Sequence, residues 1–165
     1  MLEYFTRENI TMALAIFGSL GTIFCAIYYL VTHKVKVKIN VTGYRLTNTS
    51  LLLYVTFTSK SARPIAITDI SFKHADKSFY AFKNPIVVHR TTFKQNDQLI
   101  NYKEFYNETF PIPISAYGGT SGYIYFAFPQ RHDLNTATNL NFVCSTNRHR
   151  KITTKLQLNE VELLN

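Results

Sequence analysis

The histidines are the residues of this chain whose chemistry would best suit a metal ion or acid–base catalysis. They are scattered along the 165 residues at His33, His74, His89, His132 and His149. No second ligand follows any of them at the spacing of a metal site. Asp76 and Asp133 stand near two of the histidines, but both pairs fall in predicted turns, where such an acid is most simply solvated. The sequence therefore predicts no metal site.

The cysteines and the one glycine-rich stretch also lack the neighbours that catalysis needs. Cys144 lies in an apolar run with no histidine or carboxylate placed to activate its thiol, and Cys25 lies in a longer apolar run, so no disulfide between them is expected. The stretch AYGGTSGY (116–123) has neither Lys-Ser/Thr nor a helix after it, which fits a loop between strands better than a phosphate-binding loop. We predict no catalytic residue, no cofactor and no enzyme.

Two basic features suit an anionic partner, in keeping with a formal net charge of +8. Lys34, Lys36 and Lys38 alternate with aliphatic residues directly after the long apolar run. They are placed to contact anionic lipid headgroups, to orient the chain in the membrane, or to protect an edge strand from pairing.

The second basic feature is NRHRK (147–151), a predicted hairpin tip that contains Arg148, Arg150 and Lys151. Three interpretations fit this tip, from the best to the least well supported: a solvated turn, a contact with an acidic partner or lipid, and a contact with nucleic acid. The aromatic residues fall mainly at strand positions rather than among the basic ones, which argues against nucleic acid.

Residues 90–110, RTTFKQNDQLINYKEFYNETF, are predicted to form a long irregular excursion, with room for a short helix within 94–108. Long excursions from a rigid domain are frequent binding sites. Four aromatic residues in it are candidates either for contact with a partner or for fixing the loop to the domain: Phe93, Tyr102, Phe105 and Tyr106.

Residues 10–31 read ITMALAIFGSLGTIFCAIYYLV and carry no charge. As a helix they would extend about 33 Å, which matches a hydrocarbon core of ~30 Å. The preceding MLEYFTREN has two Glu and one Arg, not a basic leader, so the run is predicted to be an uncleaved anchor. Tyr28 and Tyr29 are placed at the membrane interface. Small residues form a predicted face for helix association or homo-oligomer formation: Ala15, Gly18, Ser19, Thr22 and Ala26.

The charges on either side of the apolar run predict its orientation. Arg7 is the one cation before it, whereas His33 and the three lysines follow it, so the carboxyl-terminal part is expected in the cytoplasm. The expected organisation is an extracytoplasmic tail (1–9), a transmembrane helix (10–32) and a cytoplasmic domain (33–165). Four glycosylation triplets favour the opposite, exported topology and are outweighed by the charges: Asn9, Asn40, Asn48 and Asn107.

After Thr32 the pattern changes to the period of two that is typical of strands, with Val35, Val37, Ile39 and Val41 alternating with lysines. Further strand-like runs recur about every ten residues, separated by turn residues. They are 51–58, 65–72, 78–82, 85–88, 110–115, 122–128, 140–144 and 151–158. This pattern predicts an all-β antiparallel sandwich of seven or eight strands, immunoglobulin-like in architecture.

LLLYVTFTSKSARPIAITDISF and FPIPISAYGGTSGYIYF, together with the single span and its basic exit, resemble small single-pass bacterial proteins. These come mostly from Gram-positive hosts and their mobile elements and carry an immunoglobulin-like sandwich. The resemblance implies fold and location but no activity. We expect a membrane-anchored, non-enzymatic protein-interaction module at the inner leaflet, whose protein partner is unknown. A tethered nucleic-acid-binding protein or an exported adhesive module is the alternative.

Overall fold

The computed structural model describes residues 7–32, 34–74, 77–95, 98–128 and 139–164. Four residues considered above lie outside these ranges: His33, Asp76, His132 and Asp133. The chain divides into a helical unit, Met1–Lys34, and a β unit, Val35–Asn165.

The helical unit contains one helix, α1 (Arg7–Thr32), which begins three residues before the predicted anchor. In the described parts of the chain, it is the one helix long and apolar enough to cross a membrane. Apolar side chains surround its axis, and none of them is buried in this unit. Two of its hydroxyls are satisfied within the helix, because Ser19 Oγ donates to Ile16 O (2.8 Å) and Thr22 Oγ1 donates to Gly18 O (2.9 Å).

The β unit confirms the prediction of a mostly β domain, but its described ranges contain eleven strands rather than seven or eight. Its first strand keeps the predicted alternation, with Val37, Ile39 and Val41 half-buried and Lys38 exposed. The strands within the described ranges are β1 (Val37–Leu46), β2 (Ser50–Ser59), β3 (Ile65–His74), β4 (Lys77–Tyr80), β5 (Val87–Gln95), β6 (Gln98–Tyr106), β7 (Ile112–Ile114), β8 (Gly119–Ala127), β9 (Asn139–Thr146), β10 (Lys151–Gln157) and β11 (Glu162–Leu163).

The strands form two larger sheets and one hairpin. The first sheet has the order β11-β1-β2-β8, and the second has the order β10-β9-β3-β4, with β7 also paired to β3. β5 and β6 pair only with each other. These pairings are antiparallel, apart from the short parallel pairing of β11 with β1.

The two larger sheets share one apolar core. Phe72 of β3 is fully buried, and its ring lies 5.0 Å from that of Phe126 on β8, in the other sheet. It also lies 5.3 Å from the ring of Phe142 on β9 and 5.2 Å from that of Phe79 on β4. Aromatic packing across the sheets therefore holds the layers together.

The prediction of an irregular excursion with a short helix at residues 90–110 is wrong. These residues form most of the β5–β6 hairpin. Bulges between Val87 and His89 and between Phe93 and Lys94 shift the register and interrupt the period-two pattern. Polar residues also occur on both faces of the hairpin, so the sequence lacks the apolar stripe by which a half-buried strand is recognised.

Candidate functional site

The start of β1 and the loop after β2 bring several cations together at one end of the β unit. Val37 pairs with Ser59 in the β1–β2 register. Just beyond this pair, Lys60 N donates to Lys36 O (2.8 Å) and Lys36 N donates to Ser61 Oγ (2.8 Å). Lys36 and Lys60 are therefore neighbours, although 24 positions separate them in the sequence.

The β9–β10 turn reaches the same end. Asn147 N donates to Ala66 O (2.9 Å), and Ala66 N donates to Asn147 Oδ1 (3.1 Å). Arg148 Nη2 donates to Pro64 O (3.1 Å), which fixes the turn beside the β2–β3 loop. Arg150 and Lys151 follow directly and are exposed.

A third loop, between β7 and β8, completes this end. Tyr117 N donates to Ser61 O (3.1 Å), and Ser59 N donates to Gly118 O (2.7 Å). Tyr117 has a positive φ of 51°, and 71% of its surface is exposed. The loop therefore holds an aromatic ring in solvent beside the basic residues.

We define the basic end as six cationic residues that these three loops and the start of β1 carry: Lys36, Lys60, Arg63, Arg148, Arg150 and Lys151. The segments that form it, 35–41, 59–66, 114–120 and 146–152, contain no Asp or Glu. The charges that these segments themselves contribute are therefore all positive. The lysines after the apolar run and the NRHRK tip were recognisable separately in the sequence, whereas Lys60, Arg63 and Tyr117 were missed. The basic turn SKSARP was the signal that could have indicated them.

The other residues predicted to lie at the membrane interface are divided between the two units. Tyr28 and Tyr29 lie exposed near the end of α1, and Lys34 follows that helix. Lys38 lies on β1, whose residues 37–41 have β2 on one side and no described strand on the other. A contact of these residues with lipid stays a prediction.

The small residues predicted to mediate helix association all lie on the exposed surface of α1. Because Ser19 and Thr22 already bond to their own helix, their hydroxyls require no second helix. Association therefore stays a prediction. The residues concerned are Ala15, Gly18, Ser19, Thr22 and Ala26.

One face of the β5–β6 hairpin forms an ordered polar-aromatic cluster. Arg90 pairs with Glu104, and its guanidinium carbon lies 5.0 Å from the centre of the Tyr102 ring. Tyr106 Oη donates to Glu104 Oε2 (3.0 Å), and this bond to a carboxylate raises the pKa of Tyr106. Tyr102 and Tyr106 are about half exposed. We call these four residues the hairpin face.

The other two candidate aromatic residues, Phe105 and Phe93, have different surroundings. The Phe105 ring lies 6.0 Å from that of Tyr123 on β8 and 5.5 Å from that of His89. Phe105 therefore packs against the domain, as one of the two sequence interpretations expected. Phe93 is half exposed farther along the hairpin.

Asn107 fixes the base of the hairpin, a role that the sequence argument missed. Its side chain accepts from Ile86 N at Oδ1 (2.7 Å), and its Nδ2 donates to Phe82 O (2.9 Å) and Glu108 O (3.3 Å). Only 3% of Asn107 is exposed. The sequence suggested only a glycosylation triplet here, because a structural amide has no sequence signature of its own.

Two of the residues that were weighed for chemistry, Cys144 and His89, have defined surroundings. Cys144 is buried in the core, and burial, with a smaller effect of Asp69, raises the pKa of its thiol to about 12. His89 Nε2 lies 3.2 Å from the Thr91 hydroxyl. Across the described ranges, no three His, Cys, Asp or Glu residues are grouped closely enough to hold a metal ion.

Searches of the chain against protein-family models and against curated proteins find no match. Function is therefore inferred from the surfaces of the molecule itself.

Proposed function

We propose that this protein is a membrane-anchored, non-enzymatic interaction module whose β unit lies against the inner leaflet. The observation that carries the proposal is helix α1. Its span Arg7–Val31 would extend about 38 Å, enough to cross a bilayer, and it has no buried face in its own unit. A helix that is apolar all round requires a nonpolar environment, which lipid supplies.

Two observations support a cytoplasmic β unit. The cations that follow α1 agree with the positive-inside rule. Asn107, one of the four glycosylation triplets that favour export, is buried and its amide nitrogen already donates two hydrogen bonds. The alternative, an exported adhesive module, thus loses part of its support.

We further propose an immunoglobulin-like architecture for the β unit. The supporting observation is strand order, because β1, β2 and β8 follow the A-B-E order while β10, β9 and β3 follow the G-F-C order of that fold. The chain departs from true immunoglobulin domains in having no Trp and in inserting the β5–β6 hairpin before β8. The resemblance to small single-pass bacterial proteins agrees with this architecture and stays an expectation.

The hairpin face is the proposed contact for a protein partner. Tyr and Arg are the residues that most often dominate the binding energy of protein interfaces, and here Glu104 already orients Arg90 and Tyr106. The hairpin is also fixed to the domain, since Arg45 Nη2 donates to Val88 O and Asn107 bonds its base. Tethering in the membrane would raise the local concentration of this surface for a partner at the bilayer.

Site-specific photocrosslinking in intact cells tests this proposal. A photoreactive amino acid at Tyr102 should give a defined adduct, whereas the same group at Tyr80, which is somewhat more exposed but outside the hairpin, should not. Glu104→Ala should abolish the Tyr102 adduct because it releases Arg90 and Tyr106. Equal adducts at both positions, or none at either, would contradict the hairpin as the contact.

Topology is tested separately with a reporter fused after Asn165. Activity of a cytoplasmic reporter, together with resistance of the protein to extraction by carbonate, is the expected result. A reporter that is active only outside the cytoplasm would favour the exported module instead.

A further inference from the structure

We propose that the basic end is a docking surface for an anionic lipid bilayer, with its cations at the phosphate headgroups and Tyr117 in the interfacial layer. This inference rests on the proposed anchoring. It adds a lipid class and a defined orientation of the β unit, and it assigns a role to Lys60, Arg63 and Tyr117.

The first support is that the basic end is built rather than incidental. Hydrogen bonds between backbone groups or to side chains join Lys36 to Lys60, Ser61 to Tyr117, and Pro64 to Arg148. Charges from four separate segments are thereby held on one rigid surface. Rigid presentation reduces the entropy lost when several cations bind one anionic surface together.

The second support is that four of the six cations form no ion pair within the described part of the chain. The side chains of Lys36, Lys60, Arg150 and Lys151 form no ion pair with any residue that the structure describes. Arg148 bonds a carbonyl oxygen, which leaves its positive charge uncompensated. These cations therefore remain available to an anionic partner outside the chain.

The third support is the exposed ring of Tyr117. Tyrosine is enriched at membrane interfaces because its ring is apolar and its hydroxyl is polar. The positive φ at Tyr117 is uncommon for a residue with a side chain, and the bonds of Tyr117 N to Ser61 O and of Gly118 N to Ser115 O maintain the turn. The loop thus presents the ring at its tip among the cations.

The fourth support is the position of this end along the chain. Thr32 ends α1, and Lys36 follows it four residues later in the sequence. The acidic residues Glu160 and Glu162 lie elsewhere, since Glu162 pairs with Gly43, about 23 Å along β1 from Lys36. A negative membrane surface would attract the basic end and repel the acidic residues.

Tryptophan fluorescence tests the proposal directly, because the chain has no Trp of its own. The full chain carrying Tyr117→Trp is reconstituted into nanodiscs of brominated phosphatidylcholine, alone or mixed with phosphatidylglycerol. We expect strong quenching only in the anionic discs, reversed by salt. Leu163→Trp, which reports on an exposed position near Tyr44, is the matched control and should stay unquenched in both.

A charge-reversal variant tests which residues are responsible. Lys60→Glu, Arg150→Glu and Lys151→Glu together should weaken docking more than tenfold, and the quenching at position 117 should fall with it, given the usual contribution of each cation near an anionic surface. The control variant Lys73→Glu, Lys77→Glu and Lys103→Glu changes the net charge equally at exposed positions outside the basic end. It should retain at least half of the quenching. Matching thermal melts exclude misfolding of either variant.

Three results would overturn the docking proposal. They are equal quenching in neutral and anionic discs, equal loss in the two triple variants, and displacement of the lipid contact by a single-stranded oligonucleotide at physiological salt. The last result would identify the basic end as a nucleic-acid site.

Recovery of the chain outside the discs would instead refute the proposed anchoring. Docking is then decided by flotation of the same chain with vesicles. Binding to vesicles that contain phosphatidylglycerol but not to phosphatidylcholine alone supports docking, and binding to neither refutes it.

Discussion

Replacing Asn107 should loosen the hairpin on which the proposed partner contact depends. Asn107→Ala removes three side-chain hydrogen bonds, to Ile86 N, Phe82 O and Glu108 O. Each such bond contributes about 0.5–1.5 kcal/mol, and the longest of the three should contribute least. Water can reach part of the groups left behind, because Phe82 is exposed and Ile86 is half-buried. We therefore expect a loss of about 2–3 kcal/mol in the free energy of unfolding.

The assay is equilibrium urea unfolding of the full chain in detergent micelles, combined with hydrogen exchange. The matched control is Asn101→Ala, since Asn101 is exposed on the same hairpin and its side chain bonds only the adjacent Tyr102 N. That control should cost less than about 0.5 kcal/mol. Exchange in β5 and β6 should accelerate more than exchange in β2 and β3, because the lost bonds join the hairpin to the domain.

Asn107→Asp adds a pH dependence to the same prediction. The variant keeps an acceptor for Ile86 N but places a buried carboxylate near the carbonyl oxygens of Phe82 and Glu108, so its pKa should rise above the ordinary value of about 3.9. An acid with a raised folded pKa favours folding most when protonated. The variant should therefore regain stability relative to Asn107→Ala as the pH falls from 7 to about 4. Two results would refute the role of Asn107 in fixing the hairpin to the domain. One is an equal free energy of unfolding for Asn107→Ala and Asn101→Ala, and the other is hydrogen exchange in β5 and β6 that is no faster in Asn107→Ala.

Three other changes test the core and the hairpin face. Phe72→Ala should lower the free energy of unfolding, measured with urea, by about 3–5 kcal/mol, because it opens a cavity between the two sheets. A loss below about 1 kcal/mol would contradict a shared core. In a Cys25→Ala background, Cys144 should resist maleimide at pH 8 until the protein unfolds, as measured by mass spectrometry. Because burial raises the pKa of this thiol to about 12, the free energy of unfolding should be constant below about pH 8.5 and fall as the pH rises toward 12. Rapid labelling of the folded chain would contradict this. Glu104→Gln should lower the pKa of Tyr106 toward 10, followed by NMR of labelled tyrosine, and an unchanged pKa would show that Glu104 does not set it.

The helix and most of the strands were predictable because their signals are local. Residues 10–31 lack charges, which indicates a long apolar helix, and the alternation from Val35 to Val41 indicates a strand with one buried side. The β2 and β3 predictions, 51–58 and 65–72, fall within the observed strands. Such patterns reflect the repeat of a single element and require no knowledge of its neighbours.

The hairpin was missed because its stability comes from pairing and anchoring rather than from an apolar face. Its two bulges break the period of two, and it is attached at its base through Asn107 and Arg45. The side chain of Asn107 bonds three backbone groups, but nothing in the sequence distinguishes it from any other asparagine. Only the folded chain shows which carbonyl and amide groups it satisfies.

By itself the sequence determined that this chain combines one long apolar helix with a mostly β unit and an excess of positive charge. The tertiary structure decided that Lys36, Lys60 and Arg148 share one end, that Tyr117 stands among them, and that the hairpin face is ordered. The reason is physical. Which side chains become neighbours depends on strand register and on the direction in which each strand crosses its sheet, and these are set by long-range pairing.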